Sequence, residues 1–584
     1  MKEMPFVYKV ETLVYLAESN FGLYETVTTP ATIPTSDEDL TSESAAQTAA
    51  LAAEFWAWRS AQQPRTSDDI PRLVRPADWL PAWSPADVAA YRERITEFDA
   101  AWRSITIPAI DTDAAGRAAI VDHALVGSAI ARVKFELDVA RTYATHPGFY
   151  VDACLGVYFD LLLTPPPFDA DRTEAIIAAL EHTPTALGWG RDNLEGSLVD
   201  DFRIVTIRTL TDIEPTLRES VTALASFVPA AKVDALTAAG ELAIAELVAY
   251  RDWLATADAE PWAPIGEAGM EAFFRTIALN PLTIDDIQRI GLSELERAEG
   301  LSAIEAAIVG DAKADLLPTI DAQVERERLD ELAVRDFYES NNILSQPDTL
   351  GHYLVGAMPP YLASIRWLGV TDDLTDDDRV DEDGISYMPD PTPDLSFFYD
   401  ANARDPRAGI IHEGAHYQQL ALSWRHPTLL RRRYYDSGPN EGIAFYNEEL
   451  MLRTGMFDDA PGTRSAIYAF LRLRAMRVLV DVGLATGRES IDGAAALMSE
   501  RVPMDLETAL HEASYFASIP AQALTYQVGK NQILAFLADA ARIQGADFDL
   551  RAFHDSLWLN GNVPIALQRF ELLGLTDELD RIQL

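Results

Sequence analysis

The sequence predicts a large all-α fold. Three observations predict it: apolar residues recur at spacings of three and four over long stretches, strand-like alternation is scarce, and no repeat of fixed period is present. With 584 residues, 48% of them hydrophobic, the chain can bury a substantial core. We divide it into an N-terminal helical region, 1–260, forming part of a cleft, and a C-terminal catalytic helical region, 261–584.

The elements follow in order. Ser44–Arg59 is Ala-rich, Pro85–Ser104 repeats apolar residues at three and four, and Asp111–Thr145 is a nearly continuous amphipathic pattern. Pro165-Pro166-Pro167 breaks that pattern, and Asp169–Thr183 resumes it. Asp212–Phe227, Ala230–Ala255 and Leu292–Val309 read as long helices, whereas Ile204–Ile207 shows a short strand-like alternation. The acidic run Asp372–Gly384 lacks the twelve-position spacing of a calcium loop and is expected to be exposed. With the Pro-rich piece behind it, 372–395 is expected to be a loop or lid insertion. Helices then run from Pro406 almost to the end, including Asp505–Ala517, Pro520–Gln544 and Asp547–Leu557.

Charge narrows the function. Forty-seven Lys and Arg against 92 Asp and Glu leave a formal net charge of -45, which disfavours nucleic acid and anionic membranes as partners. The single cysteine, Cys154, excludes an intrachain disulfide framework and any multi-cysteine metal site, and its apolar surroundings predict a buried side chain. The first twenty residues carry acids and tyrosines where a signal peptide needs an apolar run, and no segment is long and apolar enough to span a bilayer. A cytoplasmic location is therefore expected. The oligomeric state is not legible.

The chemistry concentrates in Ile410-Ile411-His412-Glu413-Gly414-Ala415-His416. Helical positions four apart share a face, so His412 and His416 can reach one tetrahedral ion, with Glu413 beside it as general base. Asp405 as N-cap and Pro406 at the first position are expected to open this helix. In Asp436-Ser437-Gly438-Pro439-Asn440-Glu441-Gly442, Pro439 can open a second helix that returns Glu441 to the metal. Two His and one Glu make a catalytic zinc ligand set with one open position, one Zn2+ per chain. Glu448, two turns further on, is placed to accept a hydrogen bond from a ligand imidazole, with Glu449 as the competing candidate.

These motifs resemble the bacterial family catalogued as domain of unknown function 885 (DUF885), itself distantly similar to the thimet-oligopeptidase and angiotensin-converting-enzyme groups. Asp169–Leu194, the stretch from Asn280 to Arg297, Glu441–Glu448 and Arg474–Leu484 carry the likeness. So does Pro520–Lys530, against a family pattern Pro-Gly-Gln-Ala-x-x-Tyr-x-x-Gly. The resemblance implies a gluzincin-like metallopeptidase scaffold with a deep cleft. Three departures stand out: family members commonly insert Pro-Gly before the second histidine, Ala485 replaces a common His, and Tyr515-Phe516 replaces Arg-Tyr. They point to an altered pocket.

The expected activity is hydrolysis of peptide or amide bonds in short substrates by metal-activated water, with Glu413 moving the proton. Tyr526 is the first candidate for holding the oxyanion, because related helical peptidases use a C-terminal Tyr; Tyr515 and His511 are the others. Arg474 and Arg477 are candidate contacts for a substrate carboxylate, an Asp481–Arg477 pair is expected to brace the site, and His352 is a candidate for the cleft wall. Two alternatives stay open: a zinc-dependent hydrolase or lyase acting on a non-peptide small molecule, and an inactive, metal-stabilised binding protein.

Overall fold

The computed structural model describes residues 37–65, 73–76, 78–310, 313–502 and 504–584. Met1–Asn20, on which the signal-peptide reading rests, lies outside them. The architecture is predominantly α-helical, 69% of the chain. The helices that position the site are α1 (Asp37–Gln62), α2 (Ala114–Phe135), α3 (Ile284–Val309), α4 (Ile320–Ser340), α5 (Glu413–Trp424), α6 (Ser437–Arg453), α7 (Pro461–Thr486), α8 (Leu506–Ser518) and α9 (Thr525–Gln544). Side-chain caps fix several starts. Thr283 and Asp286 form a reciprocal capping box on α3, and Asp113 accepts the Gly116 N–H at the start of α2.

The largest core cluster draws on both sides of residue 260, joining Phe55, Ile120 and Leu155 to Leu430, Leu567 and Phe570. Polar ties reinforce the join. Buried Arg431 pairs with Asp122 on α2 and with Glu571, and Arg65 donates to the Leu368 carbonyl. A second cluster surrounds the metal motif, packing Ile410, Ile411 and Ala415 against Ile443 and Tyr446. Cys154 is buried and free, and burial pushes its thiol up to about 12.

Three expectations need correction. Ile204–Ile207 is not a strand; it lies in the helix Asp200–Thr209, where Asp200 and Asp201 favour the helix N-terminus and Ile204 faces outward. The acidic run is not simply an exposed loop. It contributes β2 (Asp372–Asp373) and leads into β3 (Gly384–Met388), which with β1 (Tyr353–Ala357) make a small sheet in the order β1-β3-β2. β1 runs parallel to β3 and β2 antiparallel to it. The acids tolerate this because Arg379 pairs with Asp373, Asp376 and Glu382, and because Ser386 Oγ donates to Asp372. Finally, Pro520–Leu524 is not helical; α9 starts at Thr525 because the preceding N–H groups are held by Asp481.

One close approach governs how α6 and α9 meet. α6 and α9 cross where Gly442 faces Gly529. A Cβ on Gly442 would sit 2.8 Å from the Gly529 Cα, and one on Gly529 would sit 2.1 Å from the Gly438 carbonyl oxygen. No backbone can yield that much locally, so Gly529→Ala is expected to cost about 1–3 kcal/mol in denaturant unfolding. Gly188→Ala is the contrast: it lies in the helix Thr183–Leu194 with nothing within 4 Å of its Cβ position. That change is expected to be neutral or to stabilise by up to about 1 kcal/mol.

Candidate metal centre

The motif is not one uninterrupted helix. Asp405-Pro406 opens a short turn of helix, Arg407–Ile410, with the Asp405 carboxylate accepting the Arg407 N–H and the Thr463 hydroxyl. The chain then breaks at Ile411-His412 and resumes as α5. Asn447 on α6 donates to the Ile411 carbonyl at 2.7 Å, satisfying the break from the neighbouring helix. The His416 N–H still reaches the His412 carbonyl at 3.1 Å, so the two imidazoles keep the i,i+4 relation, with centroids 5.0 Å apart and planes at 87°.

Glu441 comes from the second helix, as its spacing suggests. α6 is capped by Asp436, which accepts the Gly438 N–H and pairs with Arg132 on α2 at 2.7 Å. Glu441 Oε2 then stands 3.2 Å from His416 Nε2 and 3.7 Å from His412 Nε2. One ligand atom each from His412, Glu413 and His416 also falls within 4.8 Å of the others. Glu441 Oε2 and His416 Nδ1 are buried without a directed hydrogen bond. Two imidazole nitrogens and a carboxylate oxygen that gather round one buried point suit a divalent metal. Two imidazoles and a carboxylate are a zinc-type set.

Glu448 sits behind the site. Its Oε1 lies 2.7 Å from His412 Nδ1 and 3.4 Å from the Arg474 guanidinium, leaving His412 Nε2 facing Glu441. Glu449 turns instead into an ion cluster with Lys530 and Arg297. Burial works against protonation of His412, but Glu441, Glu448 and Glu413 outweigh it and push the imidazole up to about 9. Burial likewise opposes ionisation of Glu441, yet the two imidazoles hold its carboxyl well below the usual range.

A cavity of about 1050 Å³ opens onto His412, Glu413, His416 and Glu441. Tyr526 lines it, stacked on His412 with centroids 6.2 Å apart and planes at 13°. Tyr515 lines it too. Arg474 and Arg477 are placed behind the Tyr526 ring, their guanidinium carbons 5.4 and 5.2 Å from its centroid. They are not among the wall residues.

Arg477 pairs with Glu512 at 2.7 Å, not with Asp481. Asp481 is fully buried and accepts the N–H groups of Ala521 and Leu524 at 2.9 and 3.0 Å, so its brace acts on the turn before Tyr526. His352 is not among the cavity-wall residues; Glu331 and Arg335 hold its ring instead. His511 is also absent from the wall and lies in the field of His146.

The residue that sequence reasoning missed is Asp372, which lines the cavity beside Glu413. The acid count of its segment hid it. The usable signal was the β-forming run Ile385-Ser386-Tyr387 directly after the turn residues Asp383-Gly384.

The chain belongs to the family described as bacterial protein of unknown function (DUF885), whose model matches residues 70–570. No curated protein matches it. Among solved structures it resembles a candidate lipoprotein of unknown function from Shewanella oneidensis, at 15% identity and a TM-score of 0.62, over 92% of this chain and 100% of that one. It also resembles a candidate lipoprotein from Colwellia psychrerythraea, at 18% identity and a TM-score of 0.63, over 92% and 99%. At those identities the likeness establishes the fold. It also overturns the cytoplasmic location expected from the sequence, since the fold is shared with proteins described as lipoproteins. Among the described residues no helix is long and apolar enough to cross a membrane.

Two expectations follow. Below pH 9 the His412 proton must leave for a metal to bind, so apparent zinc affinity should rise about tenfold per pH unit up to about 9 and then flatten. Chelator competition across pH, with calorimetry detecting proton release at neutral pH, checks this; a flat profile contradicts it. Separately, Ala521 holds φ at 70° where the family pattern has glycine. Ala521→Gly should therefore raise stability by up to about 1 kcal/mol, read from thermal melting.

Proposed function

We propose that this DUF885 chain is a zinc-dependent hydrolase that cleaves peptide or amide bonds of short substrates. The observation that carries the reading is the convergence of His412, His416 and Glu441 at one end of a cavity that Glu413 also faces. A cavity of about 1050 Å³ has room for a short peptide. His412, His416 and Glu441 would hold the metal, which when bound supplies Lewis acidity towards water and the scissile carbonyl.

The remaining work falls to the chain's own groups. Glu413 accepts the proton of the attacking water at its carboxylate and delivers it to the departing nitrogen as the carbon–nitrogen bond breaks. Tyr526 donates its phenol hydrogen to the carbonyl oxygen as negative charge develops there. Arg474 and Arg477 hold the Tyr526 ring, and Asp481 fixes the turn that delivers it. Glu448 keeps the His412 ring oriented through Nδ1. Apolar residues such as Trp56, Phe135 and Phe273 line the same cavity.

A panel of short peptide amides tests the reading. Glu413→Gln should retain one zinc per chain and lose about 10²–10⁴ in turnover. Tyr526→Phe should lower kcat by about 10²–10³ with a smaller effect on KM, as for a donor used mainly in the transition state. Zinc retention with no amide cleavage by the wild-type protein would overturn the reading and favour non-peptide chemistry.

A further inference from the structure

We propose that Asp372 anchors a protonated amine of the substrate, making the cavity selective for ammonium-bearing peptides or amides. This inference rests on the hydrolase reading for its substrate and on the following geometry for its specificity.

Asp372 is the first residue of β2 and pairs across the ladder with Ser386. Alternation along the strand separates its side chain from that of Asp373. Asp373 is fully engaged by Arg379 at 2.6 and 2.9 Å. Asp372 also lines the cavity but has no such arginine: Ser386 Oγ donates to its Oδ1 at 2.6 Å and Tyr353 Oη donates to its Oδ2 at 3.1 Å. Among the described residues no lysine, arginine or histidine forms an ion pair with it. Both donors are neutral, so they orient the carboxyl group without balancing its charge.

No arginine of the described walls pairs with Asp372. The described cavity walls carry six arginines and eleven carboxyl groups. Arg59, Arg65, Arg132, Arg379 and Arg433 each pair with a carboxylate, and Arg75 donates to the Ser60 and Gln63 carbonyls. Even with a divalent metal added, carboxylates remain in excess. Asp372, with the Glu413 carboxylate close by, is thus left without a directly paired positive partner.

A substrate cation would supply that partner. Because each oxygen already accepts one hydroxyl, a compact ammonium with three rotatable donors suits the remaining lone pairs better than a planar guanidinium that needs both oxygens at once. A substrate carboxylate would meet repulsion in the same place. The amine can belong to the peptide N-terminus or to a lysine-like side chain, and both present the same ammonium chemistry.

Calorimetric binding to zinc-loaded Glu413→Gln protein separates the possibilities without requiring turnover. The probes are trialanine amide, its N-acetyl form, N-acetyl-alanyl-lysyl-alanine amide and the norleucine analogue of the last. In at least one matched pair the ammonium-bearing member should bind roughly 10- to 100-fold tighter than its neutral twin. The pair that shows the preference identifies an N-terminal or a side-chain amine. Adding Asp372→Asn should bring that ratio close to one.

Equal binding within both pairs, binding by none of the four, or a preference that survives Asp372→Asn in a protein that still melts cooperatively and holds zinc, would each overturn the proposal. The comparison in the Asp372-containing protein stands even where Asp372→Asn fails to fold. Cleavage by the wild-type protein is scored separately. Ammonium-selective binding with no amide cleavage would remove the hydrolase reading and keep the anchor, whereas cleavage indifferent to the amine would do the reverse.

Discussion

The contact between Gly442 and Gly529 sets the distance between the two helices on which the site depends. α6 carries Glu441 immediately before Gly442, and α9 carries Tyr526 one turn before Gly529. With no side chains between them the backbones meet closely enough that a Cβ at either position would fall within 3 Å of main-chain atoms of the other helix. Any widening there would move a candidate metal ligand and the candidate oxyanion donor in opposite directions. Arg132 paired with Asp436 at one end of α6 and Asn447 bonded to the Ile411 carbonyl further along tie the same helix to its surroundings.

Burial gives this arrangement its chemical character and its cost. His412, His416, Glu441, Glu448 and Arg474 are all withdrawn from bulk water, and each would be costly without a partner. They are arranged as a chain of alternating charge, Arg474 to Glu448 to His412 to Glu441. In the metal-free protein a proton on His412 offsets the two carboxylates, so proton and metal compete for the same place. The net charge of -45 says little about this interior. It does match the cavity walls, where carboxyl groups outnumber arginines.

Placements that follow from helical spacing were legible in the sequence. His412 and His416 share a face because they are four apart, and Glu441 lies in the first turns of the second helix, which starts at Ser437 rather than at the expected Pro439. Glu448 falls on the face of Glu441 two turns on, whereas Glu449 points to Lys530 and Arg297. Most helices from Pro85 onward appear within a few residues of their expected bounds. Roles decided by tertiary contacts were not legible. Asp481 binds backbone N–H groups forty residues away, the kink at Ile411-His412 depends on Asn447 from another helix, and β2 exists only because β3 pairs with it. Asp372 was hidden for the same reason: its neighbours in sequence are acids, while its neighbours in space are Ser386, Tyr353 and Glu413.

The central claim is that one zinc ion is held by His412, His416 and Glu441. An anomalous difference map collected at the zinc edge from zinc-loaded crystals tests it most directly. A single peak about 2.0–2.2 Å from a ring nitrogen of each histidine and from a Glu441 carboxylate oxygen is the predicted result. A peak elsewhere, or none at this centre in protein that binds zinc stoichiometrically, would contradict it.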